Sequence, residues 1–100
     1  MLFKIGELEF TKSEGDQFTL TTYAGGSVGI RARVRSEKDM KLNEELLYRL
    51  REGRTQEIEI VTEEGISIKG LYKINELNWK REINTDGKYE LVFNLGLQRQ

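Results

Sequence analysis

Arg31, Arg33 and Arg35 alternate with Ile30, Ala32 and Val34 along one run that Val28 begins. A period of two sends successive side chains to opposite faces of a strand, so this run predicts one apolar face and one arginine face. Three guanidinium groups on one face span about 13 Å at roughly 3.3 Å per residue. Such a stripe is suited to a phosphate backbone or to the carboxylates of a protein partner. Tyr72-Lys73 and Trp79-Lys80-Arg81 set aromatic rings beside cations, a combination that stacks on bases. The candidate partner-binding residues are therefore Arg31, Arg33, Arg35, Trp79, Lys80 and Arg81. A competing use is neutralisation within the fold. Glu57 and Glu59, or Glu7 and Glu9, repeat the two-residue spacing and would pair with the arginines across strands.

Other chemistry is scarce. The chain has no His and no Cys, so the commonest general acid-base group, the usual metal ligand and the thiolate nucleophile are all missing. Ser13, Ser27, Ser36 and Ser67 have no imidazole to activate them. Asp and Glu pairs can hydrolyse glycosides or hold Mg²⁺, but here they fall singly on alternating positions or in turns, as solvated strand faces do. Gly25-Gly26-Ser27-Val28-Gly29 lacks the Lys-Ser/Thr ending of a phosphate loop and leads into a strand, so it reads as a turn. No catalytic residue, cofactor or metal is expected.

The elements that would position these residues are mostly strands. Phe3 and Ile5 share one phase and Leu8 and Phe10 the other, with a bulge or kink expected at Gly6. Ser13-Glu14-Gly15-Asp16 reads as a turn into a second strand carrying Phe18 and Leu20 and ending near Tyr23. After the arginine strand, Leu42, Leu46, Leu47 and Leu50 form a stripe at helical spacing. Asn43 is the favoured cap, with Glu44 and Glu45 in the first turn, Arg49 and Arg51 near the end, and Gly53 as the closing residue. Ser36 with Asp39 offers a rival start.

Ile58 and Ile60 then alternate with Glu57 and Glu59, and Glu63-Glu64-Gly65 turns the chain into Ile66, Ile68, Gly70, Tyr72 and Ile74. The phase changes near Asn75-Glu76, where a bulge would let one long strand serve two sheets. Asn84-Thr85-Asp86-Gly87 is a hairpin turn. Tyr89, Leu91, Phe93, Leu95 and Leu97 complete the pattern in one unbroken phase. With Glu90 as its lone charge and no proline, this last strand reads as an unprotected edge. The fold class is α+β, mainly antiparallel: about six strands in a bent sheet or partly open barrel, with one helix at about 43–52 between the third and fourth strands.

One hundred residues suit a single domain, 1–100, with one modest core. Sixteen basic residues against seventeen acidic ones argue against bulk attraction to nucleic acid or anionic lipid. The opening residues lack the basic segment and long apolar run of a secretory signal, and no apolar stretch is long enough to span a membrane. The cytoplasm is the default expectation, and no membrane partner is expected.

From about Leu46 to Leu97 the chain runs from a short helix through "EIEIVTEEG" and "GLYKINELNWKREI" to a glycine turn and "YELVFNLGL". In pattern and order this stretch resembles the tail-tube and baseplate assembly domains of bacteriophages. That resemblance implies a module that forms rings by joining sheet edges and carries no catalytic residues. The expectation is thus a non-enzymatic structural or interaction module that self-associates as a homo-oligomer, through strand edges and the arginine face, or meets another protein. The alternative is a small β-barrel that binds nucleic acid through the arginine-lined strand face.

Overall fold

The computed structural model describes residues 2–5, 8–10, 13–52, 55–61, 65 and 67–100. They form seven strands and one α-helix: β1 (Leu2–Ile5), β2 (Leu8–Phe10), β3 (Gln17–Thr22), β4 (Val28–Val34), α1 (Glu37–Leu50), β5 (Thr55–Val61), β6 (Ser67–Ile83) and β7 (Tyr89–Arg99). All strands join one antiparallel sheet in the order β2-β1-β5-β6-β7-β4-β3. The chain thus has the expected α+β class, with one helix after the arginine strand.

The sheet curls because one face of it must surround a core. Val28, Ile30, Ala32 and Val34 of β4 and Leu91, Phe93, Leu95 and Leu97 of β7 are all buried on the same side. Leu46, Leu47 and Leu50 of α1 join that cluster, together with Met40. Phe93 shows how far the curl goes. Phe10, from the strand at one end of the sheet order, stacks on it at 5.6 Å between ring centroids. Phe18, from the strand at the other end, meets it edge-on at 6.0 Å. A flat sheet would hold those outer strands far apart. Here both reach one ring, so the sheet is a half-barrel with its concave side filled.

Strand β6 is the spine of the sheet. Its first part, up to Lys73, pairs with β5, and from Tyr72 onward it pairs with β7. The register slips between Ile74 and Glu76, so the expected bulge at Asn75 is present. It bends one strand within one sheet and does not divide the strand between two. Gly96 lies opposite the bulge, and a Cβ there would come within 2.5 Å of Asn75 Oδ1 and 3.0 Å of Glu76 Cβ. The close approach of the bulge therefore favours glycine, since any larger residue displaces the Asn75 side chain and crowds Glu76. At the expected hairpin turn, Asn84 Oδ1 accepts hydrogen bonds from the N–H groups of Asp86 and Lys88 at 2.9 and 3.0 Å.

Four expectations need correcting or limiting. The phase change after Ile5 is a chain reversal, not a bulge in one strand: β1 and β2 pair antiparallel, with Ile5 opposite Leu8. Gly6 itself lies outside the described residues, as do Gly53, Glu63, Glu64 and Ile66. The helix begins at Glu37, with Ser36 as its cap, accepting a 3.4 Å hydrogen bond from Asp39 N–H. Asn43 is not the cap. It is fully buried about two turns farther on, its amide donating to the Asp39 carbonyl at 2.7 Å, on the same buried stripe as Met40, Leu47 and Leu50. Finally, β7 is not an edge. It lies between β6 and β4 and is paired on both sides, and its scarcity of charge reflects that central position.

Candidate strand-edge interface

Among the described residues the sheet leaves β3 open at one end of the strand order. No charged residue and no proline stands anywhere from Gln17 to Ile30, in a chain where a third of the residues are charged. Natural edges are commonly guarded by charge, proline, a bulge or shortness. The other open edges have such guards. β2 is three residues long and carries Glu9, paired with Lys4 at 3.4 Å. Beyond Lys73 the outer side of β6 begins with the bulge and carries Lys80, Arg81 and Glu82. β3 has none of these over its six residues.

Both ends of β3 are held. Asp16 is buried at its start, where Oδ2 accepts the Ser13 N–H at 3.0 Å and Oδ1 accepts the Arg35 N–H at 2.8 Å. Ser13 Oγ also donates to Asp39 on the first turn of α1. One carboxylate thus closes the turn before β3 and ties it to the end of β4. At the far end Tyr23 N–H donates to the Ser27 carbonyl at 2.8 Å across a 3-10 turn, Ala24–Gly26, in which Gly25 and Gly26 both take φ +83°. The glycine cluster is therefore a turn, as its sequence indicates.

The Tyr23–Ser27 bond also sets the parity of the β3–β4 ladder. Antiparallel pairs alternate between hydrogen-bonded and open. Counting back along the register makes Thr21–Gly29, Thr19–Arg31 and Gln17–Arg33 the bonded pairs. The N–H and C=O groups of Phe18, Leu20 and Thr22 consequently point away from β4, out of the sheet. Phe18 and Leu20 turn half-buried side chains to the core, while Gln17, Thr19 and Thr21 are exposed on the convex face.

The expected arginine face exists on that convex side, but its charge is largely committed. Arg33 and Arg35 converge on Glu90, a buried carboxylate whose Oε1 lies 3.1 Å from Arg35 Nε and whose Oε2 accepts from Arg33. Asn84 donates to the same carboxylate at 3.1 Å. Hydrogen bonds from Arg33 and then Asn84 hold the Glu90 carboxyl below its ordinary value, against the cost of burial. Glu82 lies 3.6 Å from Arg33 and is likewise lowered, chiefly by Lys80 at 2.8 Å. Arg33 is raised in turn, first by its bond to Glu90. The neutralising partner is thus neither of the glutamate pairs suggested by spacing. Glu57 and Glu59 belong to β5, beside Lys4 and Lys69 and far across the sheet, and Glu7 lies outside the described residues. Of the three arginines, Arg31 is the one with no ion-pair partner among the described residues. It borders a depression of about 330 Å³ in which Gly29 faces Gly96 between Tyr23 and Asn75.

Trp79, Lys80 and Arg81 do not extend the arginine stripe as a unit. Lys80 shares the convex face, in the row Arg33–Val92–Lys80. Trp79 pairs with Phe93 and turns to the concave side, where Tyr48 of α1 meets it edge-on at 5.1 Å. Arg81 follows Trp79 and donates through Nε to Glu44 of the helix at 2.7 Å. Tyr72 is buried in the core, so it offers no stacking surface.

Sequence reasoning missed the β3 edge, Asp16 and Glu90. The uncharged run after Asp16 was the available signal for the edge. For Glu90, the signal was one carboxylate in the arginine phase of a run, Tyr89 to Leu97, that is otherwise uncharged. Among the described residues, no helix is long and apolar enough to cross a membrane. Comparison with protein-family models, with curated proteins and with solved structures finds no match for the chain.

Proposed function

We propose that this chain is a non-enzymatic structural or interaction module that associates by adding a strand at the outer edge of β3, with copies of itself as the simplest partner. The observation that carries the reading is the edge itself: six residues, uncharged, free of proline, with the backbone groups of Phe18, Leu20 and Thr22 directed outward. Main-chain hydrogen bonds to such an edge provide affinity without a pocket. Anchoring at Asp16 and at the Ala24–Gly26 turn favours it further, because an edge already held straight loses little entropy on pairing. The resemblance of residues 46–97 to phage tail-tube and baseplate domains points in the same direction. The nucleic-acid reading loses most of its basis, since Arg33 and Arg35 are engaged by Glu90 and Trp79 faces the helix.

Light scattering behind a sizing column, over a wide concentration range, tests the proposal. The unmodified chain should exceed monomer mass increasingly with concentration. Thr21→Lys, which places a charge on the exposed edge, should return it to monomer with an unchanged far-ultraviolet circular dichroism spectrum. A chain that stays monomeric at every concentration refutes the reading.

A further inference from the structure

Resting on the reading of β3 as the associating edge, we infer that its partner is the β3 strand of a second copy, antiparallel, with the twofold axis passing through Leu20. The outward groups belong to Phe18, Leu20 and Thr22, and a partner strand must meet all three to leave none unpaired. Centring the axis on Leu20 pairs Leu20 with its own copy and Phe18 with Thr22 of the other chain in both directions. Each pair exchanges two hydrogen bonds.

The neighbouring registers fail at the strand ends. An axis through Thr19 sets Thr22 against Asp16, whose N–H already donates to the Ser13 carbonyl at 3.1 Å within the turn. An axis through Thr21 sets Phe18 against Ala24, which has entered the 3-10 turn. Only the Leu20 register fits wholly within Gln17–Thr22.

The same register suits the side chains. Phe18 and Leu20 of both copies fall on the concave side, so the apolar faces join without a change of phase. On the convex side Thr19 lies opposite Thr21 of the second copy, and the exposed Tyr23 lies opposite its Gln17. Arg31, which neighbours Thr19, is aligned with Gly29 of the second copy rather than with the second Arg31. An axis through Thr19 would align the two arginines in one row. The result is a closed twofold interface that continues the sheet from one chain into the next.

A chain without cysteine makes the register directly measurable. Thr19 and Thr21 are exposed, and in the Leu20 register they form a non-hydrogen-bonded pair with Cα atoms about 4.5 Å apart, within disulfide reach. Thr19→Cys and Thr21→Cys are prepared separately, checked for the unmodified melt, and oxidised alone and as an equal mixture. Covalent dimer is read on a non-reducing gel. The expected result is roughly tenfold more dimer in the mixture than in either variant alone. Strong cross-linking of one variant by itself overturns the Leu20 axis while leaving strand addition standing. No cross-link in any sample, from a chain that light scattering shows to be associated, overturns the antiparallel β3 pair altogether. A chain that is monomeric throughout refutes the underlying reading of the edge.

Discussion

Replacing Glu90 by Gln keeps the shape of the side chain and removes its charge. In the folded chain that carboxylate receives Arg33, Arg35 and Asn84 while only 4% exposed. Hydrogen bonds to a charged group contribute about 1.5–3 kcal/mol each, but Arg33 and Arg35 are 37% and 51% exposed and water recovers much of what they lose. The net cost of Glu90→Gln is therefore set at about 2 kcal/mol, or about 10 °C in Tm for a domain of this size. Urea unfolding at pH 7 should show a lower midpoint with an unchanged slope.

The pH dependence gives a second handle. The Glu90 and Glu82 carboxyls both lie below their ordinary value of 4.5 in the folded chain. A lowered carboxyl contributes stability that is fully present above the ordinary value and is lost as pH falls through it toward the folded value. The gap between the unmodified chain and Glu90→Gln should thus be widest near neutrality and narrow below pH 4.5. A variant within about 0.5 kcal/mol of the unmodified chain at pH 7, with the same acid limb, would show that the carboxylate's charge is not what joins β4 to β7.

Two further substitutions test the local geometry. Gly96→Ala should cost about 1–2 kcal/mol by crowding Asn75 and Glu76, and adding Asn75→Ala should recover part of it; urea midpoints of the single and double variants decide this. Ser36→Ala should cost about 1 kcal/mol by leaving the first turn of α1 uncapped, whereas a helix starting at Asn43 would be indifferent to it, so its thermal melt separates the two starts.

What alternation encodes is which face a side chain occupies, and at that level the chain was legible. Val28 to Val34, Ile58 and Ile60, and Leu91 to Leu97 all lie in the core as their phase indicates. What alternation does not encode is which strands are neighbours. A run with one charge, such as Tyr89 to Leu97, can be an unguarded edge or the middle of a sheet, and in β7 it is the second. The same ambiguity hid the arginines' partner, because Glu90 meets Arg33 only once β7 is known to lie beside β4. Local signals decided the turns well, where Asn84 and Gly87 act within a few residues of themselves. They decided the helix start poorly, because Ser36 and Asn43 are both good caps and tertiary burial of Met40 and Asn43 made the choice.

The central place of β7 also orders events in time. β4 pairs with β7 across most of the chain, from Val28 opposite Leu97 to Val34 opposite Leu91. Contacts so distant in sequence must close a long loop before they contribute anything, which slows folding. Until the ribosome has released Tyr89–Arg99, β4 and the far half of β6 have no shared neighbour, and Phe93 is not there for Phe10 and Phe18 to meet on. A nascent chain stalled before that point exposes the facing sides of β4 and β6 in addition to the edges the folded sheet leaves open, so dependence on chaperones should fall once Tyr89–Arg99 has emerged.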